Sequence, residues 1–234
     1  MGEQLGLGMV NKSFDRMFKP KRKAWWSDCG HYRYRLEEIW EPNLPLLNFV
    51  LLNPSTAGRP DPANPGELTS DQTFTRACVR ARRWKEFATK PPHDIGGVIF
   101  TNAYAWTETN SLEVKKLLKA GKDLIGPDND ASIVKAAQDV RASHGLVICA
   151  WGAHCSPARS KDVLRLLMAT AKVTPQALRF TASGAPVHIL YLPYDLGGGP
   201  YAITEPNFCR GCGFEIAADS LACGECSCED DCTP

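Results

Sequence analysis

The 234-residue chain contains no apolar run approaching the roughly 18 residues a membrane span needs. It carries no charge excess either: 27 Lys+Arg stand against 26 Asp+Glu, a net charge of +1. Overall charge therefore excludes gripping a polyanion and leaves only a local basic patch open. No P-loop, GxGxxG, HExxH or GxSxG motif is present, so the familiar phosphate, dinucleotide, metalloprotease and serine-hydrolase chemistries have no signature here. No internal repeat is found. The opening MGEQLGLGMVNKSF lacks the basic-then-apolar layout of a secretory signal, and Gly6 stands where myristoylation wants Ser or Thr. A cytoplasmic protein is the expectation.

What is present is ordinary globular composition, 44% apolar and 23% charged, in a length that allows one full domain with an appendage or two small ones. Residues 1–28 read as a loosely ordered basic arm, with Lys19, Lys21, Arg22 and Lys23 ahead of Trp25 and Trp26. It is either a solvated leader or a nucleic-acid contact. Residues 29–200 read as the main domain. Four short apolar runs, Leu46–Leu52, Gly97–Ala103, Gly145–Ala150 and Val187–Leu192, predict buried strands. Helical spacing is predicted over Ser70–Ala88, after Ser111, over Asp130–Ala142 and over Arg159–Ala171, with Ser70, Asp71 or Ser111 as N-caps. Apolar strands separated by helices predict an α/β fold, a three-layer αβα sandwich around a mostly parallel sheet.

Residues 206–234 form a cysteine-rich tail. Cys209-x-x-Cys212, ten residues, then Cys223-x-x-Cys226 gives two knuckles whose four thiolates suit tetrahedral Zn²⁺. A closed four-sulfur set makes such a zinc structural. Cys228 and Cys232 are surplus, and a pair of disulfides or redox thiols is the alternative.

Several polar or aromatic residues fall at predicted strand ends: Asn53, Pro54 and Ser55, then Asn102, then Trp151 and Gly152, then His188 and Tyr191. Ligands of open α/β sheets bind beyond the carboxyl ends of strands, so these are candidate site residues. Each also has a bland reading: Asn53-Pro54 as a turn, Asn102 as a strand cap, Trp151 and His188 as core. Arg76, Arg80 and Arg83 share one helix face, which either binds phosphate or is solvated.

The motif series Tyr32-Arg33-Tyr34-Arg35-Leu36, Leu52-Asn53-Pro54-Ser55-Thr56-Ala57, Asp71-x-Thr73, Asn102, Gly126-Pro127-x-Asn129-Asp130, Trp151-Gly152 and His188-x-Leu190-Tyr191-Leu192-Pro193 resembles the domain of unknown function numbered 1643, a bacterial and phage family. More distantly it resembles the uracil-DNA glycosylase superfamily. That resemblance implies a three-layer fold and a nucleobase-acting enzyme that cleaves an N-glycosidic bond in nucleic acid. Asn53 then matches the water-positioning Asn, Asn102 loosely the base-reading Asn, and His188 the late His, although this chain reads His188-Ile189-Leu190-Tyr191 where the superfamily has His-Pro-Ser. In that scheme Asp71 is the base, Trp151 or Tyr191 stacks on the extruded base, and Arg76 contacts phosphate. The implied partner is DNA, or a nucleotide. The alternatives are a nucleotide or nucleoside hydrolase or transferase, and a non-catalytic nucleic-acid-binding module.

Overall fold

The computed structural model describes residues 20–88, 93–193 and 196–203. The Cys209, Cys212, Cys223 and Cys226 set, and the tail from 206 onward, lie outside the described residues. Among the described residues, no group of His, Cys, Asp and Glu is arranged to hold a metal ion, and no helix is long and apolar enough to cross a membrane.

Among the described residues the chain is a mixed α/β fold built on one seven-stranded sheet. Its strands are β1 (Lys21–Trp26), β2 (Arg33–Ile39), β3 (Leu46–Leu51), β4 (Gly97–Asn102), β5 (Leu146–Cys149), β6 (Gln176–Ala177) and β7 (Tyr201–Ala202), in spatial order β1-β2-β4-β3-β5-β6-β7. The three expected apolar runs that became β3, β4 and β5 lie together in parallel at the centre, with β6 parallel beyond β5. The remaining pairings, β1 with β2, β2 with β4 and β6 with β7, are antiparallel. The sheet is thus parallel only in its middle, which corrects the expectation of a mostly parallel one.

The central strands are apolar on both sides because the pleat feeds two apolar clusters. Leu47, Phe49, Leu51, Val98, Phe100 and Ile148 pack with Phe74, Ala77, Cys78 and Ala81 of helix α1 (Gln72–Arg82). Val50, Ile99, Val147 and Cys149 pack with Ile133, Ala136, Ala137 and Val140 of helix α4 (Asn129–Ala142) and with Val163 and Leu164 of helix α5 (Pro157–Arg165). Each buried Val, Leu, Ile or Phe among them contributes roughly 1.5–3 kcal/mol, enough to hold central strands without polar alternation. Two further helices, α2 (Trp84–Phe87) and α3 (Ser111–Lys119), complete the described α-helices.

Three local expectations are corrected. Lys21–Trp26 is no loose arm: it is the edge strand β1, registered from Lys21↔Ile39 to Trp26↔Arg33. Its alternation of exposed and half-buried residues matches a strand with one wet face, a pattern its charges disguised. The α3 cap is Asn110, whose side chain accepts from the Leu112 N–H at 2.9 Å, rather than Ser111. Val187–Leu192 is not a strand. Its buried apolar residues, Ile189 and Leu192, stand three apart, and the segment turns as a short 3₁₀ element over Ile189–Tyr191.

Candidate functional site

Because β3, β5 and β6 run in parallel, their carboxyl ends open on the same edge of the sheet. Strand β3 has β4 on one side and β5 on the other, so the connections diverge there, the place where open α/β sheets form a crevice. A cleft of about 580 Å³ lies at that edge. This is within the roughly 300–1,000 Å³ typical of small-molecule sites. Asn53 and Ser55 enter it from the loop after β3, Asp71 and Thr73 from the start of α1, Trp151 and Gly152 from the turn after β5, and His188 and Tyr191 from the segment after β6.

Each side chain is set locally. Asn53 donates its amide through Nδ2 to the Glu108 carbonyl at 2.6 Å and the Pro54 carbonyl at 3.1 Å, which fixes which end of the amide faces backbone. Asp71 is the α1 N-cap, Oδ1 accepting from the Phe74 N–H at 2.8 Å, and its carboxylate also lines the cleft. Gly152 has φ +71, a left-handed conformation natural to glycine, and its N–H donates to the Pro186 carbonyl, drawing the His188 segment against the end of β5. Arg76 donates from Nε and Nη2 to the Leu192 carbonyl, and Arg80 from Nη2 to the Pro193 carbonyl. These two α1 arginines clamp the segment that carries His188.

His188 is the most informative group. Its Nδ1 accepts from the Leu190 N–H at 3.3 Å. An accepting Nδ1 leaves Nε2 as the protonated, donating nitrogen of a neutral imidazole. Burial drives its pKa down to about 4, against an opposing pull from Asp71. The ring is neutral throughout the physiological range.

The structure therefore brings Asn53, Ser55, Asp71, Gly152, His188 and Tyr191 into one cleft. Tyr191 is 77% exposed at its mouth, a ring with a free face. Trp151 lines the wall but is only 2% exposed and belongs to the α4–α5 apolar cluster, so Tyr191 is the better placed of the two to stack. Asn102 is fully buried at the end of β4, its side-chain atoms without partners among the described residues, and it lines no part of the cleft. Neither Pro54 nor Arg76 lines it; Arg76 holds backbone instead. Of the face that either binds phosphate or is solvated, Arg76 and Arg80 are engaged with backbone carbonyls of a segment that has no strand partners, while the exposed Arg83 pairs with Glu86 at 2.7 Å.

Sequence reasoning missed Thr73, Glu108 and Arg33. Thr73 and Glu108 line the cleft, and Glu108 also anchors Asn53 through its backbone. Arg33 lies beside it, 3% exposed, where burial lowers its pKa to about 10 and Asp71 opposes that shift. It remains a cation at neutral pH. The signal was in view: an arginine in the strand motif Tyr32-Arg33-Tyr34-Arg35-Leu36.

A family model described as "Protein of unknown function (DUF1643)" matches residues 33–190. No curated protein matches the chain, and no solved structure does.

Proposed function

The chain belongs to the DUF1643 family of proteins of unknown function, and from its cleft we propose that it acts on a nucleobase, cleaving an N-glycosidic bond in nucleic acid. The observation that carries this reading is the neutral His188, its Nδ1 satisfied by Leu190, in the same cleft as Asn53 and Asp71. Glycosidic cleavage asks little covalent chemistry of a protein. As the bond breaks, its electron pair stays with the base and the sugar becomes cation-like. A neutral imidazole can donate Nε2–H to the base oxygen where charge collects. Asp71 accepts the proton of the water that adds to the sugar carbon, Asn53 positions that water, and Tyr191 stacks on the extruded base. The same reading takes the two apolar clusters as the seams of a three-layer αβα sandwich.

The test is base release from single- and double-stranded DNA carrying uracil, hypoxanthine or other modified bases. His188→Ala is expected to lower kcat about 10²–10³-fold, the cost of removing one donor to a developing oxyanion. Release that survives His188→Ala combined with Asn53→Ala refutes the assigned roles. A nucleotide that raises the unfolding temperature while DNA oligonucleotides do not would favour the nucleotide-hydrolase or transferase reading. We also propose that Cys209, Cys212, Cys223 and Cys226 hold one structural zinc. One equivalent of zinc by elemental analysis, lost in Cys209→Ser combined with Cys226→Ser, is the expected result.

A further inference from the structure

Adjoining the cleft is a smaller, partly open recess of about 30 Å³. Asn53, Asp71 and His188 border both spaces, and Arg33 lines only the smaller one. A defect in the sheet puts Arg33 there. Along β2, Glu38 faces α1, pairing with Arg82, whereas Arg35 faces α4, bonded to Asp139 at 2.6 Å. By strict alternation Arg33 would follow Arg35. However, the step from Trp25 to Trp26 on β1 spans two steps on β2, from Arg35 to Arg33, so Tyr34 is an inserted bulge residue. The bulge turns Arg33 to the α1 side, beside Leu36, Phe74 and Phe100.

There the guanidinium is incompletely satisfied. Nη1 donates to the Ala57 carbonyl at 2.6 Å, but Nε has no partner among the described residues. A buried N–H left open is costly, so the recess should hold something that accepts from it. Its size decides what. The recess itself seats one water, two at most. The wall agrees: the Asp71 carboxylate would repel an anion seated beside Arg33, while a water, donor and acceptor at once, satisfies both.

We infer that this recess seats one ordered water between Arg33 Nε–H and the Asp71 carboxylate, and that Arg33 is a further catalytic residue, holding the water that attacks the sugar carbon. The second half rests on the glycosidic reading above; the seat itself does not. Arg33 donates to the water oxygen and Asp71 accepts one of its hydrogens, which leaves a lone pair for the cleft. The oxygen then bonds to the sugar carbon, the water's proton passes to Asp71, and the pair of the broken carbon–nitrogen bond leaves with the base. The base finally takes up a proton, and Asp71 returns its own to solvent.

Two measurements on the full chain separate the halves. An atomic-resolution crystal structure is expected to show a water within about 3.2 Å of both Arg33 Nε and an Asp71 oxygen. An empty recess, a chloride in the water's place, or Nε bonded to protein overturns the seat. In the base-release assay, Arg33→Met is expected to lower kcat about 10²-fold with KM little changed, and Arg33→Lys, which keeps a donor and the charge, to recover part of it. If Arg33→Met does not fold, Arg33→Lys with an unaltered unfolding temperature still reads the kcat effect. A seated water with wild-type kcat in both variants overturns the catalytic half. A wild-type chain that holds the water and releases no base supports the seat while refuting the glycosidic reading.

Discussion

Two arginines, Arg33 and Arg159, are buried to nearly the same extent, 3% and 4% exposed, and are used in opposite ways. Arg159, on α5, donates from Nε to the Ala103 carbonyl at 2.7 Å and from Nη2 to Asp130 at 2.5 Å. It ties β4 to the α4–α5 side and is a structural cation. Arg33, re-aimed by a bulge onto the α1 side, has one carbonyl, and no carboxylate within ion-pair reach among the described residues. Burial alone does not separate a structural charge from a chemical one. What separates these two is that Arg159 is bonded through both Nε and Nη2, whereas the Nε of Arg33 stands open beside a recess.

The sharpest way to break this contrast is Asp71, which does both jobs. Asn caps a helix as well as Asp, so Asp71→Asn should leave stability within about 0.5 kcal/mol of wild type. On the proposed reaction it removes the base and should lower kcat about 10²–10⁴-fold. Denaturant unfolding beside the base-release assay reads both, and an unchanged rate would leave Asp71 a cap only.

Next in size is the pH dependence of stability set by His188. Between about pH 6.5 and about 4, the imidazole of the unfolded chain takes up a proton that the folded one refuses. Stability is therefore full above that window and is lost as the pH falls through it, by about 3 kcal/mol from this group. His188→Asn should flatten that part of the profile. A wild-type curve that does not differ from the variant's would mean that His188 is hydrated rather than buried against the cleft floor.

The smallest expected effect is on the structural side. Arg159→Met should cost about 2 kcal/mol of unfolding free energy, the scale of lost charge-assisted hydrogen bonds, with no change in kcat per folded molecule. A rate loss there would erase the distinction between the two arginines.

Apolar patterning along the chain is enough to place the middle of the sheet and the edge at which the cleft forms. Strands buried on both faces must be apolar throughout, so β3, β4 and β5 announce themselves, and polar residues just past them mark their carboxyl ends. Asn53 was legible on that ground; Asp71 was legible as a helix cap and, in the glycosylase-like scheme, as the base, and His188 stood in a fourth apolar run that does not form a strand. Tertiary structure decided the rest. It paired the charged β1 with β2, and β2 with β4, all antiparallel, since a strand with one wet face reads as a polar stretch until its partner is known. It buried Trp151, took up Arg76 and Arg80 in holding the His188 segment, and kept Asn102 out of the cleft, because which side a residue faces at a strand end depends on what packs there. The position of Arg33 was out of reach for the same reason: one inserted residue reverses every side chain beyond it, and a bulge is a property of two paired strands rather than of either one.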